Sequence, residues 1–479
     1  MKKHFLLLAL LCYCSSAMLS AQKPVTINPN PYYSLLVNSI DKNGGVPLQS
    51  FINGRKGDTI LLIGGRTTGL HNFSGTAFPF STSNDKLMVY VPGNAVGKSK
   101  LYTVSVPATL PQQNRLQLAS TNMQFCQDGD TLYSIGGYGF NGVKNNDSSY
   151  GTFNSFFAVN VRGLVNAIVA NDTASTKLAS YFTFSTQPSV TDSTMAVTGG
   201  ELVKMGTDYY LVVGQDFQGE YGAGKLHYQR YTNTITRLHF NYTATGLTYN
   251  IVETITDPAQ QFHRRDLNVV PVVAINGKPG IDVYGGVFTP TVNGGPYLNP
   301  IKVRANPILE TYYTVDTSFV QYFNQYASAH VLMYDGLRNT MFASLLGGIS
   351  LYDSVKTVNS HTPIQPSDTT MPWTSAISTI ARNATGKFME YASDNNTMPA
   401  LIGAEARFIP YQQFLKDGSE EIIDYNKVVL YAAKNKTTVV NIGFLFGGII
   451  SSTEDGSGPT NSDPALYKVS VKINLLKKK

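Results

Sequence analysis

The sequence predicts an all-β protein made of six similar antiparallel sheets, and three observations lead to this prediction. Its 479 residues include 42 glycines and 29 tyrosines, with many Thr, Ser and Asn, a composition that favours strands and turns over helices. A short apolar run that ends in paired glycines recurs six times. The copies are spread over the whole chain at a nearly constant period, which is typical of a repeat architecture.

Composition excludes several other classes of protein. With 42% hydrophobic and only 14% charged residues, the chain is too apolar and too weakly charged to be disordered. Its one long apolar stretch is at the very start, which excludes a multi-span membrane protein. The 37 basic and 31 acidic side chains give a formal charge of +6, a weak basis for binding a polyanion, so no nucleic-acid partner is expected.

The N-terminus has the layout of a secretory signal peptide. A basic start is followed by the apolar stretch Phe5 to Tyr13 and then by small residues up to Ala21. This pattern predicts a cleaved leader over 1–21 and one mature domain over 22–479. The apolar stretch is too short to span a bilayer comfortably, so we expect no stable membrane insertion after cleavage. The protein is therefore expected to be secreted or periplasmic.

The cysteines support the same layout. Cys12 and Cys14 lie inside the predicted leader, and neither follows the small residue that a lipoprotein signal requires, so a lipid anchor is not expected. Cys126 is the one thiol left after cleavage, which leaves no intrachain disulfide. Stability must then come from a large apolar core, which a chain of this length can bury.

The six glycine-terminated runs define the repeats. Their first glycines follow one another at intervals of 72, 78, 71, 62 and 100 residues. In the third copy Gln215 replaces the second glycine. The six runs are Thr59–Gly65, Thr131–Gly137, Tyr210–Gln215, Ile281–Gly286, Ala343–Gly348 and Gly443–Gly448.

Each run has similar surroundings. Upstream is another strand-like run, joined to it by a tight turn of a kind that tolerates positive φ, as at Asn53-Gly54, Asp128-Gly129, Asn276-Gly277 and Asp335-Gly336. Downstream, a polar loop leads to a third strand, as at Lys86–Val91, Ser155–Val161, Lys225–Arg230 and Leu466–Ile473. A fourth strand is predicted at Lys100–Val106 and Tyr181–Ser185. Four antiparallel strands per repeat are the unit of a β-propeller blade, so six blades are expected.

The repeats resemble the kelch family, in its secreted bacterial form. The copy from Asp130 to Gly139 is the most similar, and only Trp373 matches the tryptophan common late in kelch repeats. The resemblance implies a six-bladed kelch-type propeller. The alternative is a large β-sandwich with unrelated strand-Gly-Gly turns, but a sandwich does not require a period that covers the chain, whereas stacked repeats do.

The two ends of the chain are expected to pair. The last repeat ends at its third strand, Leu466–Ile473, and the strand-like run Tyr33–Ser39 near the start belongs to no repeat. We therefore predict that this N-terminal strand completes the last blade and closes the propeller, which protects edges that would otherwise be exposed.

Long loops are predicted on one face. They follow the glycine pairs, and rigid strands that present long loops are a common basis for binding sites. The long loops are 66–85, 138–154, 287–298 and 349–372. Aromatic residues in or near them are expected to provide apolar platforms: Phe73, Phe78, Tyr138, Phe140, Tyr150 and Tyr221.

The first residues of the innermost strands are expected to surround the mouth of the central channel. A rough alignment of the repeats places there Ser50, Asn122, Glu201, Asp266, His330 and Glu405, with Arg66, Arg264 and Arg265 nearby. Such a polar ring of both charge signs could bind a neutral, hydroxyl-rich ligand. The alternative is a water-filled channel whose charges pair with each other. The candidate ligand-binding residues are Arg66, Asn122, Glu201, Arg265, Asp266, His330 and Glu405.

Catalytic signatures are scarce. The sequence therefore leaves open whether the protein is an enzyme, and it favours a protein that catalyses no reaction. No nucleophile elbow, zinc-protease helix, phosphate loop or dinucleotide fingerprint occurs in a suitable setting. No metal and no cofactor are expected. The oxygen-rich loop 454–463 lacks the spacing of a calcium loop.

Two families of enzymes with kelch propellers are possible models for an active site. A galactose oxidase-like copper site would need a Cys–Tyr cross-link, and Cys126 has no matching partner motif. The resemblance to bacterial sialic acid mutarotases would imply a carboxylate beside an arginine, Glu201 or Glu405 with Arg66 or Arg265.

The leading hypothesis is a monomeric binding module for a glycan or a protein partner, which it contacts through its long-loop face. The alternatives are a sugar-processing enzyme of the mutarotase kind and a structural envelope component.

Overall fold

The computed structural model describes residues 26–71, 77–145, 148–187, 192–222, 224–243, 246–290, 294–305, 310–360 and 372–474. The expected signal peptide lies outside these residues. Strands take up 49% of the described residues and helices 10%, so the protein is all-β, as the sequence predicts. Within the described ranges, no helix is long and apolar enough to cross a bilayer.

The strands follow one another in groups that match the repeats. The N-terminal strand is β1 (Tyr33–Asp41), and the first group after it consists of β2 (Ile52–Lys56), β3 (Thr59–Ile63), β4 (Lys86–Val91) and β5 (Lys100–Ser105). The second consists of β6 (Gln124–Asp128), β7 (Thr131–Ile135), β8 (Tyr138–Asn145), β9 (Ser148–Thr152), β10 (Phe156–Asn160) and β11 (Phe182–Phe184). The third consists of β12 (Glu201–Met205), β13 (Asp208–Val212), β14 (Gln215–Gly219), β15 (His227–Tyr231), β16 (Thr234–Thr243) and β17 (Gly246–Thr256).

The second half of the chain continues the series. Its fourth and fifth groups are β18 (Arg265–Val273), β19 (Pro279–Val287), β20 (Ile301–Ala305) and β21 (Thr311–Val315), then β22 (His330–Asp335), β23 (Thr340–Ile349), β24 (Trp373–Arg382) and β25 (Phe388–Tyr391). The last group is β26 (Arg407–Pro410), β27 (Ile422–Asp424), β28 (Val439–Phe446), β29 (Ile449–Ser451), β30 (Thr460–Ser462) and β31 (Leu466–Ile473). The helices are α1 (Gln112–Gln117), α2 (Val161–Val169), α3 (Ser175–Ala179), α4 (Val355–Ser360) and α5 (Tyr425–Lys434).

Six sheets share one antiparallel strand order, and we number them I to VI. They are β2-β3-β4-β5, β6-β7-β10-β11, β12-β13-β16-β17, β18-β19-β20-β21, β22-β23-β24-β25 and β26-β28-β31-β1. In sheet V, β27 adds to the free edge of β22 in parallel. In sheet VI, the N-terminal strand β1 pairs with β31 over its whole length. This set of four-stranded antiparallel sheets is consistent with a propeller.

The sheets pack on one another in chain order. The first strands β2, β6, β12, β18, β22 and β26 each contact the next in this series. Sheets VI and I share an apolar cluster in which Phe51 stacks on Phe446 with ring centroids 6.0 Å apart. The apolar core therefore lies between neighbouring sheets, where alternate side chains of each strand are buried.

Two consecutive residues with a left-handed backbone follow the apolar run of each repeat, and most of these pairs join one sheet to the next. The second of the pair donates its backbone N–H to a carbonyl of the segment that enters the neighbouring sheet, as for Gly65 to Ser120, Gly137 to Val197, Gly214 to Arg264, Gly348 to Ile402 and Gly448 to Leu48. Between sheets IV and V the amide of Asn268 forms the link instead, bonded to the Gln325 carbonyl at 2.6 Å and the Ser328 N–H at 3.0 Å. The repeated glycines are thus required for contact between sheets.

The third repeat differs from the alignment made on sequence. Val213, with φ +49°, takes the position of the first glycine, and Gly214, with φ +97°, takes that of the second. Gln215 therefore does not replace a glycine; it begins β14. Sequence comparison aligned Gly214 with a first glycine because Val is a rare residue in the left-handed region.

Two further predictions about local structure were wrong. Asn53-Gly54 lies inside β2, and the turn that follows is formed at Gly57-Asp58. The run Lys225–Arg230 does not form the third strand of its repeat, which is β16.

The strand β15 instead belongs to an additional four-stranded sheet, β15-β14-β9-β8, which we call the loop sheet. It is built from the segments that follow the glycine pairs of repeats two and three. Its strands come from two repeats, so no pattern within one repeat could reveal their pairing.

Substitution of Gly136 by Ala tests the contact between sheets. A Cβ at Gly136 would lie 2.0 Å from the Val197 carbonyl oxygen, and its φ is +65°. We expect Gly136→Ala to lower the free energy of unfolding by about 2–5 kcal/mol, from the left-handed backbone and the clash together. The control is Gly129→Ala, which has φ +57° and nothing within 4 Å of the added Cβ.

The control should cost only about 1–2 kcal/mol, because it carries the backbone term alone. Both values are measured by urea denaturation. Equal losses for the two variants would contradict the proposed close contact.

Candidate functional site

Six residues at or just before the starts of the first strands share a left-handed backbone and lie together. Ser50, Asn122, Gly199, Asp266, Ala327 and Glu405 have φ between +45° and +66°. The N–H of Asn122 donates to the Ser50 carbonyl at 3.1 Å, and the N–H of Asp266 donates to the Gly199 carbonyl at 3.0 Å. All six line one cavity of about 520 Å³, which we call the first cavity. The conformation recurs in every repeat, so the architecture imposes it.

The residues expected at the first positions of the innermost strands all line the first cavity. Ser50, Asn122 and Glu405 lie two residues before β2, β6 and β26, and Asp266 is the second residue of β18. Glu201 and His330 are the first residues of β12 and β22, and Gly199 and Ala327 take the equivalent left-handed positions before them.

The arginines expected near the mouth have different roles. Arg264 is fully buried, donates to the Gly285 carbonyl at 2.9 Å and lies over the ring of Tyr297, so it is a structural residue. Arg66 is 4% exposed and does not line the first cavity; its guanidinium lies 4.5 Å from the ring centroid of Phe78.

Arg265 lies beside the mouth. Its Nη1 is 3.6 Å from the carboxylate of Asp266, and its Nε donates to the Tyr231 hydroxyl at 3.3 Å. Its guanidinium also lies 4.4 Å from the ring centroid of Phe288. Of the three arginines, Arg265 is therefore the one that can orient a carboxylate of the cavity.

The loop aromatics pack mainly on one another. Phe78 contacts Tyr138 and Tyr221 with ring centroids 5.3 and 5.7 Å apart, and Tyr150 contacts Phe140 at 5.6 Å. Tyr138 is 5% exposed, and its hydroxyl donates to the Gly219 carbonyl at 2.9 Å. These rings are the core between the loops and the loop sheet rather than open platforms. Phe73 lies outside the described residues.

Sequence reasoning missed Arg407, which lines the first cavity together with Glu201 and Glu405. Arg407 is two residues after Glu405, just as Glu201 is two residues after Gly199. Side chains alternate along a strand, so these positions face the same way. A search for polar residues two positions after Asn122, Gly199, Asp266 and Glu405 would have found Gln124, Glu201, Asn268 and Arg407.

Burial changes the acidity of both glutamates. It raises the pKa of Glu405 from 4.5 to about 7, an effect that Arg407 opposes and Asp266 reinforces. It also raises the pKa of Glu201 to about 7, with Arg407 opposing and Glu405 reinforcing. Arg407 is thus the shared counter-charge of Glu201 and Glu405, two carboxyl groups that are costly to ionise together.

The described residues offer no group of three or more His, Cys, Asp and Glu side chains placed to hold a metal ion. Cys126 is a free thiol in β6, and burial raises its pKa to about 12. The segment 454–463 follows β29 and contains β30, which pairs with β29.

The fold and the cavity define an all-β protein of repeated four-stranded sheets, with a polar cavity where their first strands begin. No family model matches the chain, and no curated protein matches it. Among solved structures, the structure of YjhT matches 90% of this chain and 99% of its own, with 10% identity and a TM-score of 0.47. Similarity of this degree identifies neither a family nor an activity, so the functional argument rests on the residues above.

Removal of the Glu405 charge tests the electrostatics of the first cavity. The pKa of Glu405 is higher in the folded than in the unfolded chain, so the folded state binds more protons between pH 4.5 and 7. The contribution of this carboxyl to stability is therefore present below pH 4.5 and is lost as the pH rises to 7. We expect Glu405→Gln to reduce the loss of stability between pH 5 and 8 by on the order of 1–3 kcal/mol.

The measurement is urea denaturation of both proteins at pH 5 and pH 8. Glu454→Gln, at an exposed loop position, is the control and should follow the wild type. The same pH dependence in Glu405→Gln and the wild type would show that Glu405 is ionised as freely as in water.

Proposed function

We propose that the chain is a secreted or periplasmic six-bladed β-propeller of the kelch type, and that it binds the end of a glycan in the first cavity. The propeller is supported by the common strand order of sheets I to VI, by their packing in chain order and by the contact between sheets VI and I. The proposed closure is supported by the pairing of β1 with β31, from Tyr33 with Ile473 to Asp41 with Leu466.

A designed disulfide tests the closure. Ser34 and Lys472 are register partners on β1 and β31, and such partners have Cα atoms about 4.5–5.5 Å apart. We expect the pair Ser34→Cys and Lys472→Cys to form a disulfide on oxidation and to raise stability by about 2–5 kcal/mol. The control pair is Ser34→Cys with Lys468→Cys, because Lys468 is the partner of Asn38.

Mass spectrometry and thermal unfolding with and without reductant report the two results. Failure of the first pair to cross-link, or equal cross-linking in the control pair, would argue against a strand that joins the two ends.

The first cavity carries the binding proposal. Its empty space, which is open to solvent, is about 520 Å³. Its mouth offers a hydroxyl from Ser50, an amide from Asn122 and carboxylates from Asp266 and Glu405. These groups both donate and accept hydrogen bonds, which suits a ligand rich in hydroxyl groups. The alternative binding function is that the long-loop face binds a protein partner. In both cases we propose that the chain is a monomer.

A second candidate function is proton transfer on a sugar, such as exchange of its anomers. The observation that favours it is the pair of carboxyl groups with pKa values near 7, Glu201 and Glu405, with Arg407 beside them. A general acid or base works best with a pKa near the working pH. Binding and catalysis would then use the same cavity.

One set of variants separates these functions. The mature protein is screened on a glycan array, and anomer exchange of the bound sugars is followed by NMR.

For a binder, Asp266→Asn should weaken the affinity for the glycan by about tenfold or more, because a partly buried acceptor is lost, and Glu201→Gln should change this affinity little. For an enzyme, Glu201→Gln should slow exchange by about 10²-fold or more while the sugar still binds.

Glu454→Gln is again the control, since its side chain is exposed and remote in sequence from the cavity residues. A chain that binds no glycan and exchanges no anomer would contradict both functions and would favour a protein partner or a structural role.

A further inference from the structure

A second cavity, of about 930 Å³, lies beyond the first. Glu201, His330 and Arg407 line both, so the two cavities meet at these side chains. The second cavity follows the first strands away from the mouth and is also lined by Glu420 and Glu421. Both glutamates come from the segment between β26 and α5, which places β27 alongside β22.

Arg55 is the most unusual residue of the second cavity. It is 8% exposed, and its Nε donates to the Gly57 carbonyl at 3.0 Å. Its Nη1 and Nη2 have no hydrogen-bond partner among the described residues, and the carboxylate of Asp58 stays 3.7 Å from Nη2. Gln127 fixes the Arg55 backbone with two hydrogen bonds, at 2.6 and 2.8 Å. The carboxylates of Glu420 and Asp58 partly offset the charge of Arg55. Its two terminal nitrogens still lack a hydrogen bond, which is costly in a buried group.

Two more unused nitrogens line the same cavity. The Nε of Arg407 and the Nδ1 of His330 are buried and have no hydrogen-bond partner within the described part of the chain. Arg407 lies 5.1 Å from the ring centroid of Phe125, which with Phe408 supplies an apolar wall. The arrangement combines positively charged donors, an aromatic surface and, at the exposed side, two carboxylates.

We propose that the second cavity binds a small organic carboxylate that also carries a hydrogen-bond donor, such as a hydroxy acid or an amino acid. A guanidinium matches the two oxygens of a carboxylate, so the ligand's carboxylate binds Arg55. The donor group of the ligand bonds Glu420 or Glu421, which would repel a simple anion. The ligand's carbon skeleton packs on Phe125 and Phe408.

This site can be tested separately from the proposed glycan site, although the two cavities meet at Glu201, His330 and Arg407. Arg55, Glu420 and Glu421 line the second cavity and not the first, whereas Ser50, Asn122, Asp266 and Glu405 line only the first. Variants of one set therefore test one site.

Cys126 provides a reporter in the unmodified protein, because its half-buried thiol lines the second cavity. Since burial raises the pKa of this thiol and the thiolate is the reactive form, the modification is followed at pH 9. The mature wild-type chain is titrated with lactate, alanine, acetate or inorganic phosphate, and the rate of Cys126 modification by a methanethiosulfonate reagent is followed by mass spectrometry. We expect lactate or alanine to slow modification at lower concentrations than acetate, since acetate has no donor group. Phosphate should protect least.

Variants then assign the site. Arg55→Gln should weaken protection by at least about tenfold, because it removes the charged donor for the carboxylate. Arg115→Gln, on the exposed surface of α1, is the control and should leave protection unchanged. Glu421→Gln should reduce the preference for lactate or alanine over acetate, and it serves as the second variant if Arg55→Gln does not fold.

Several results would overturn the proposal. These are no protection of Cys126 by any carboxylate, equal protection by phosphate, unchanged protection in Arg55→Gln, or loss of protection in Glu405→Gln. Unprotected Cys126 would mean that the cavity holds water alone. Loss of glycan binding in Asp266→Asn with intact protection of Cys126 would concern the first cavity only, so the two proposals can fail separately.

Discussion

The structure depends on close backbone contact where one sheet meets the next. At these junctions a left-handed pair ends the second strand, and its second residue donates an N–H to a carbonyl of the neighbouring sheet. Gly136 shows why the side chain must be absent, since a Cβ there would overlap the Val197 carbonyl. Val213 is the exception, and its side chain is accommodated in the core between sheets III and IV. The contact brings the first strands together, and both cavities follow from it.

The first cavity is a product of this packing. Residues such as Asp266 and Glu405 adopt a left-handed backbone at equivalent points of their repeats, which directs polar side chains of different sheets into one space. That space is too enclosed to solvate every charge. The raised pKa values of Glu201 and Glu405 are the direct result, with Arg407 as a partial counter-charge.

The two cavities differ in the balance of their charges. Carboxyl groups predominate at the first, whereas the second adds Arg55, whose terminal nitrogens have no hydrogen-bond partner among the described residues. Arg407 and His330 belong to both and separate the two environments. A protein with two such cavities along its first strands can bind chemically different groups at each.

The sequence alone determined the all-β class, the repeat and five of the glycine pairs, and it pointed to side chains such as Asn122, Asp266 and Glu405 that line the first cavity. These depend on local rules, because glycine tolerates left-handed φ and apolar runs of this length form strands. Only the tertiary structure decided the left-handed Val213, the loop sheet and the lining of one cavity by both Arg55 and Arg407. Each of these depends on contacts between residues far apart in the chain. Burial and the neighbouring sheet select the arrangement, and the sequence pattern of a single repeat does not indicate it.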